Sequence, residues 1–131
     1  MKIVIHEKES PLEARTVADI DRVIESATEE ASAKGLLNII ELVADNGNTI
    51  DIVVGGDETV LGFQYSHRNP PYYASKGNTD NDEPVMAAFK ALIHHTEFPR
   101  KWVIPLKKGM SAIHEFFQSG DLPKSIEWVE V

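Results

Sequence analysis

Apolar and polar positions change their period along the chain, and the first changes predict a strand followed by a helix. Residues 2–6, "KIVIH", are rich in β-branched side chains, as is typical of a short strand. From Thr16 to Lys34 the apolar residues recur every three or four positions, which places them on one face of an α-helix. Thr16 with Asp19 resembles a capping box at its start, and Gly35 supplies the stop.

The period then falls to two, which predicts three consecutive strands. They lie in "LNIIELVA", "NTIDIVVGG" and "TVLGFQYS", and the turn residues Asn46–Gly47 separate the first two. Strands joined by turns this short pair as an antiparallel meander. One face of that meander is free to pack on the first helix.

Residues 66–84, "SHRNPPYYASKGNTDNDEP", form the least regular part of the chain. Prolines stand near both ends, and acids and amides crowd the second half. We expect an irregular surface segment with a short strand at Tyr72–Ser75. A loop of this length in a compact domain often carries function, and mere mobility is the alternative.

The last third predicts a second helix between extended pieces. Residues 85–99 fit a helix by period, but a run of this length cannot be told from a strand by period alone. Residues 101–105, "KWVIP", predict a short extended piece, and "SIEWVEV" at 125–131 predicts a strand. Residues 105–121 predict the helix, which Gly120 ends. Its inward face comprises Met110, Ile113, Phe116 and Phe117.

These elements together predict an α+β fold. We expect an antiparallel, meander-containing β-sheet with two main helices packed on it. The sequence shows neither an internal repeat nor a domain boundary, so residues 1–131 are expected to form a single domain.

Charge narrows the choice of partner. The 131 residues carry 21 acidic and 13 basic groups, a net charge of −8, which disfavours direct binding to nucleic acid. An acidic surface instead attracts a cationic partner, with simple solubility as the alternative reading. The apolar runs are too short to span a membrane, and the start turns charged too soon for a signal peptide. We therefore expect a cytoplasmic protein.

The segment "HHTEFP" is the first candidate for chemistry, and it favours a structural role. Without cysteine, the chain has no thiol nucleophile and no sulfur-ligated metal site. His94 and His95 would point to opposite faces of a strand, which leaves one His–carboxylate pair, His95 with Glu97, on a face. Neither HExxH nor GxSxG occurs, so we predict no catalytic residue, metal or cofactor. The alternative is a small enzyme or a ligand- or metal-binding domain that uses His94, His95 and Glu97, with Trp102 in the pocket.

Tyr72 and Tyr73 are the second candidate. Adjacent tyrosines on a strand send one ring inward and one outward. An outward tyrosine beside "NTDNDE" combines an aromatic anchor with an acidic rim, the composition of a surface that binds a cationic protein. Packing of both rings at a sheet edge is an equally good reading.

Three segments, in this order and spacing, resemble the Imm-one family of bacterial immunity proteins. They are "YYASKGN", "HHTEFP" and the ending "VIPLKKGMSAIHEFFQSGDLPKSIEWVEV". The likeness is strong from Val60 to Val131, and the first half fits as a general arrangement of helix and strands. Family members often have glycines and a strand before the paired histidines. This chain has Ala91–Leu92–Ile93 there, and we take residues 85–93 as a strand.

The resemblance implies a cytoplasmic antidote to a toxin encoded beside it, often a nucleic-acid deaminase, including those acting on cytosine in double-stranded DNA. It also implies an α+β sheet with packed helices. Under this reading the segment His94, His95, Thr96 and Glu97 becomes an inward hydrogen-bonded box before the last helix, and Trp128 a structural residue. Composition, rather than the family motif, places the toxin contacts. The predicted contact residues are Tyr72, Tyr73, Asn78, Asp80, Asp82 and Glu83.

Overall fold

The structure, a computed structural model, describes residues 1–5, 10–91 and 94–131. The helices are α1 (Val17–Lys34) and α2 (Leu106–Ser119), and a 3₁₀ turn spans Arg100–Trp102. The strands are β1 (Lys2–Val4), β2 (Leu12–Glu13), β3 (Leu37–Val43), β4 (Thr49–Val54), β5 (Glu58–Thr59), β6 (Leu61–Gln64), β7 (Tyr72–Ser75), β8 (Pro84–Ala91), β9 (His94–Pro99), β10 (Ile104–Pro105) and β11 (Trp128–Glu130). Two helices with a large, mainly antiparallel sheet confirm the predicted α+β class.

Helix α1 has the ends that its sequence predicts. The Asp19 amide donates to Thr16 Oγ1 at 3.1 Å, and the Asp19 carboxylate accepts from the Thr16 amide at 3.1 Å, which closes the capping box. Gly35 follows the last turn at φ 68°, in the left-handed conformation that a helix stop of this kind requires.

The main sheet has the strand order β11–β7–β6–β4–β3–β1–β2. Strands β3, β4 and β6 are sequential antiparallel neighbours, so the predicted meander is confirmed. Tyr72–Ser75 forms the expected strand, and β11 pairs with it at the sheet edge. A parallel contact between β3 and β8, at Leu37 with Ala88 and Asn38 with Phe89, brings in the β8–β9 hairpin.

The two faces of the sheet are covered differently. On the helix face, α1 and α2 close the main core, in which Ile50, Leu61 and Phe116 are fully buried. We call the opposite side the outer face. There the β8–β9 hairpin and the 3₁₀ turn cover only a smaller apolar cluster. That cluster comprises Ile39, Val53, Val60, Met86, Ala88 and Val103, with Leu37, Phe98 and Trp102 packed against it.

The structure shows the conformation of two segments whose secondary structure the sequence left open or predicted as extended. Residues Pro84–Ala91 are a strand, whereas Leu92 and Ile93 lie outside the described residues. An extended piece was predicted at residues 101–105, and this prediction is wrong for the first half. The 3₁₀ turn Arg100–Trp102 folds the chain back there, and only then does β10 pair with β5.

Helix α2 ends at the predicted Gly120, at φ 67°. Of its predicted inward residues, Ile113 and Phe116 are fully buried, whereas Met110 and Phe117 are partly buried against the main core.

Candidate functional site

The acidic segment after β7 is tied down along its backbone. The amide of Arg100 donates to the carbonyl of Glu83 at 2.9 Å, and the amide of Lys101 donates to that of Asn81 at 2.9 Å. The amide of Gly77 donates in turn to the carbonyl of Lys101 at 2.6 Å. We call residues 76–83 the acidic loop. Its main chain is therefore fixed on the 3₁₀ turn rather than loosely attached.

Gly77 is required by that attachment. A Cβ atom at this position would lie 2.7 Å from the carbonyl oxygen of Val103 and 2.9 Å from that of Lys101. Both atoms belong to the backbone, so they cannot move aside as a flexible side chain would. The glycine therefore allows the acidic loop to approach the 3₁₀ turn closely.

The polar side chains of the acidic loop point to solvent. Asn78, Asp80, Asp82 and Glu83 are all exposed. Asp82 lies 2.5 Å from Lys101 Nζ, with 78% of its side chain exposed, so this ion pair is a weak one. The structure thus brings four of the predicted contact residues together on one rigid surface segment.

The two tyrosines diverge as the strand geometry predicts. Tyr72 lies opposite Gln64 on the outer face, and its hydroxyl donates to the carbonyl of Arg68 at 2.9 Å. Tyr73 lies opposite Phe63 on the helix face, with a ring-centroid distance of 6.5 Å to Phe63. Tyr73 thus belongs to an aromatic cluster of the core and lies on the opposite face from Tyr72. As toxin contacts, both residues stay predictions.

Tyr65 belongs to the same aromatic cluster, 4.9 Å from Phe63 and 6.4 Å from Tyr73 between ring centroids. Burial raises the pKa of the Tyr65 hydroxyl above its usual value, and the neighbouring Tyr73 and Asp121 raise it further. The raised pKa keeps the Tyr65 hydroxyl protonated, and its ring acts as a packing group in the cluster.

The inward box predicted at "HHTEFP" is wrong. His94, His95, Thr96 and Glu97 lie on β9 with exposed side chains, and β9 pairs only with β8 among the described strands. His95 Nε2 lies 4.0 Å from Glu97 Oε1, at the limit of a contact between two exposed groups. The physical reason is that only the base of the β8–β9 hairpin packs on the sheet, where Phe98 joins the outer cluster.

The box was expected to fix the chain before the last helix, and other residues do this instead. The approach to α2 is held by Arg100, whose Nη1 donates to Glu58 Oε2 at 2.9 Å, and by the Leu106 amide, which donates to the carbonyl of Asp57 at 2.9 Å. Trp128 does have structural contacts: its Nε1 donates to the carbonyl of Pro123 at 2.7 Å, and its ring lies 6.3 Å from that of Phe63.

Nothing in the described ranges favours a metal site. Among residues 1–5, 10–91 and 94–131, no group of three or more histidine and carboxylate side chains is placed to hold an ion. Neither described helix is long and apolar enough to cross a membrane.

A further feature of the outer face escaped the sequence analysis. Glu41 and Asp51 are direct cross-strand partners on β3 and β4, on the part of the outer face that the β8–β9 hairpin leaves open. The signal was present in "LNIIELVA" and "NTIDIVVGG", each of which has one acid inside an apolar run. Such an acid marks a place where one face of an otherwise buried strand meets water.

Comparison with known proteins identifies the family of the chain. The family model described as Immunity protein Imm1 matches residues 8–130, which extends the likeness of the second half through α1 and the meander. No curated protein matches the chain. The match covers nearly the whole sequence, and the chain therefore belongs to the Imm1 family of immunity proteins.

Proposed function

We infer that this protein binds a cognate toxin domain one-to-one in the cytoplasm and occludes its active surface, with no turnover of its own. The observation that carries this inference is the family match over residues 8–130. The toxin we propose is a basic, nucleic-acid-directed enzyme, and specifically a cytosine deaminase acting on DNA.

Charge supports that choice of toxin. An enzyme that acts on nucleic acid needs a cationic groove for the phosphate backbone. A protein of net charge −8 is steered toward such a groove and competes with the phosphates for it. Inhibition then needs only coverage of the groove, which a rigid acidic surface can supply.

The acidic loop is the surface we propose for this contact, together with Tyr72; Tyr73, on the helix face, would support the position of Tyr72 rather than meet the same side of the toxin. Its backbone is already fixed by hydrogen bonds to Arg100 and Lys101, so little conformational entropy remains to be lost on binding. Asp80 and Asp82 are exposed, and the weak ion pair between Asp82 and Lys101 can be exchanged for a contact with a cationic side chain of the toxin. The half-buried Tyr72 supplies an aromatic contact on the same outer face.

The test is co-expression of this chain with the toxin domain encoded beside its gene. We expect a stable one-to-one complex and loss of cytosine deamination by the toxin. A complex that forms although the free toxin deaminates nothing would refute the deaminase assignment and leave immunity standing. Absence of any complex would refute the proposed function.

Charge reversal maps the contact surface. Asp80→Lys with Asp82→Lys should weaken toxin binding by about tenfold or more, because two attractive contacts become repulsive. The matched control is Glu25→Lys with Glu29→Lys on the exposed side of α1, which changes the net charge equally on the other side of the sheet. Equal affinities of the two double variants would show that only the overall charge matters and that the acidic loop is not the contact.

A further inference from the structure

The open part of the outer face contains a groove. Neither the family match nor the net charge of the chain gives this groove a role. One end, about 320 Å³ in volume, lies between the carboxylates of Glu41 and Asp51, the ring of Tyr72 and the side chain of Lys90. It continues into a smaller apolar end of about 130 Å³, and both ends include Gly62. We call the whole the sheet groove.

Gly62 makes the groove deep. It lies in the middle of β6, between Asp51 on β4 and Ala74 on β7. A Cβ atom here would meet only the carbonyl oxygen of Tyr73, at 3.9 Å, which is an ordinary contact. The backbone therefore does not require a glycine. A glycine in a strand weakens the strand and often marks a place where a ligand approaches closely.

The open end carries two carboxylates that oppose each other. Glu41 and Asp51 are direct cross-strand partners, and like charges in that position destabilise a sheet. Lys90 Nζ lies 3.5 Å from Asp51 Oδ2, but the lysine and aspartate side chains are 41% and 38% exposed, so this ion pair is weak. A cation that reached both carboxylates would be attracted by each of them.

The other end is apolar. Ala74, Phe98 and Trp102 line it, together with Val53, and it is more enclosed than the open end. An apolar slot that leads to a pair of carboxylates matches a long side chain with an aliphatic stem and a charged head. Arginine fits best, because its planar fork can donate to two carboxylates at once.

We propose that the sheet groove binds an arginine side chain of the cognate toxin. This proposal rests on the proposed function and names the anchor by which the toxin is held. The sheet groove lies beside the acidic loop, since Trp102 lines both its apolar end and the cleft that holds Asp80. The toxin can therefore engage both through one continuous outer surface.

Filling the groove tests the proposal directly. Gly62→Leu places a side chain in the slot, and we expect the toxin domain to bind about 30-fold or more weakly, the loss that removal of a central anchor typically causes. The matched control is Gly56→Leu in the exposed turn after β4, where a Cβ atom would meet only Leu37 Cδ2, at 3.7 Å. That variant should bind like the wild type, and thermal unfolding should show both variants folded.

A second pair of variants removes charge without adding volume. Glu41→Gln with Asp51→Asn should weaken toxin binding about tenfold or more, whereas Glu25→Gln with Glu29→Gln on α1 should not. These variants also decide the matter if Gly62→Leu does not fold.

The possible outcomes distinguish the groove proposal from the proposed immunity function. Wild-type affinity for both Gly62→Leu and the Glu41–Asp51 double variant would overturn the groove and leave the immunity function intact. Failure of the wild-type chain itself to bind the toxin domain would overturn both. We expect both variants to bind the toxin domain more weakly than the wild type, and both control variants to bind it with wild-type affinity.

Discussion

The same strands build both faces of the central sheet, but the two faces differ in burial and in composition. On the helix face, alternate residues such as Ile50, Leu61 and Phe63 are buried under α1 and α2 in one continuous core. On the outer face, the positions between them include Asp51 and Gly62, which line an open groove. Stability is therefore concentrated on one face, and the other can carry charge and depressions that a core would not tolerate.

A pair of glycines shows the same difference. Gly109 is buried on α2, and a Cβ atom there would lie 2.7 Å from Thr59 Cγ2. At Gly62 a Cβ atom would meet nothing closer than 3.9 Å. The first glycine is needed for helix packing, whereas the second leaves space that the fold does not use. Conformation alone would not have separated the two, because neither has a positive φ.

The largest effect should come from the helix face. Phe116 is fully buried, and its ring lies 6.1 Å from that of Phe63 in an edge-to-face arrangement. Phe116→Ala should lower the free energy of unfolding by about 3–5 kcal/mol in chemical denaturation, from lost burial and a new cavity. Phe98→Ala, at a half-buried position of the outer cluster, should lose only about 1–2 kcal/mol. Equal losses would contradict the contrast between the faces.

Gly109→Ala should give the next largest effect, and with a sign opposite to that of helix propensity. Alanine in place of glycine normally favours a helix by about 1 kcal/mol. Here the new methyl group would collide with Thr59, which cannot turn away easily because its Oγ1 donates to the carbonyl of Val53 at 2.8 Å. We expect a net loss of about 1–2 kcal/mol in the free energy of unfolding.

The control for Gly109→Ala is Gly62→Ala. It should be neutral or stabilising by up to about 1 kcal/mol, because the strand gains a better residue without a clash. Denaturation curves of the two variants should therefore move in opposite directions. A Gly109→Ala protein as stable as the wild type would show that α2 can shift away from β5.

Elements set by local patterns could be predicted from the sequence. The capping box of α1, the meander after it and the stop of α2 at Gly120 each depend on residues that are neighbours in the chain. The outward position of His95 could not be predicted in this way. It depends on how far the β8–β9 hairpin projects past the sheet, which the parallel contact between Leu37 and Ala88 determines.

The candidate site likewise contains features that depend on neighbours in the chain and features that depend on strand pairing. The sequence could place Asp80 and Asp82 on one surface segment because they lie in one acidic run, and their role as toxin contacts stays a prediction. It could not pair Glu41 with Asp51, which are ten residues apart and meet only through the β3–β4 register. Nor could it separate the space left by Gly62 from the packing at Gly109, because each looks like a single glycine inside a regular element.

The smallest effect concerns the start of α1, far from the groove. The backbone amide of Arg15 donates to the Asp19 carboxylate at 2.9 Å and lowers the pKa of Asp19 below its ordinary value, and the amide of Thr16 and the charge of Arg22 lower it further. A carboxyl group with a lowered folded-state pKa contributes stability at pH values above its unfolded pKa, near 4. That contribution is lost as the pH falls through the lower folded-state value.

Stability curves between about pH 6 and pH 2 should therefore fall less steeply for Asp19→Asn than for the wild type. Asp57→Asn, in an exposed turn, is the matched control and should follow the wild type. If the wild type and Asp19→Asn lost stability in parallel, the capping box would contribute nothing to acid sensitivity. The acid response would then arise from the ion pairs elsewhere in the protein.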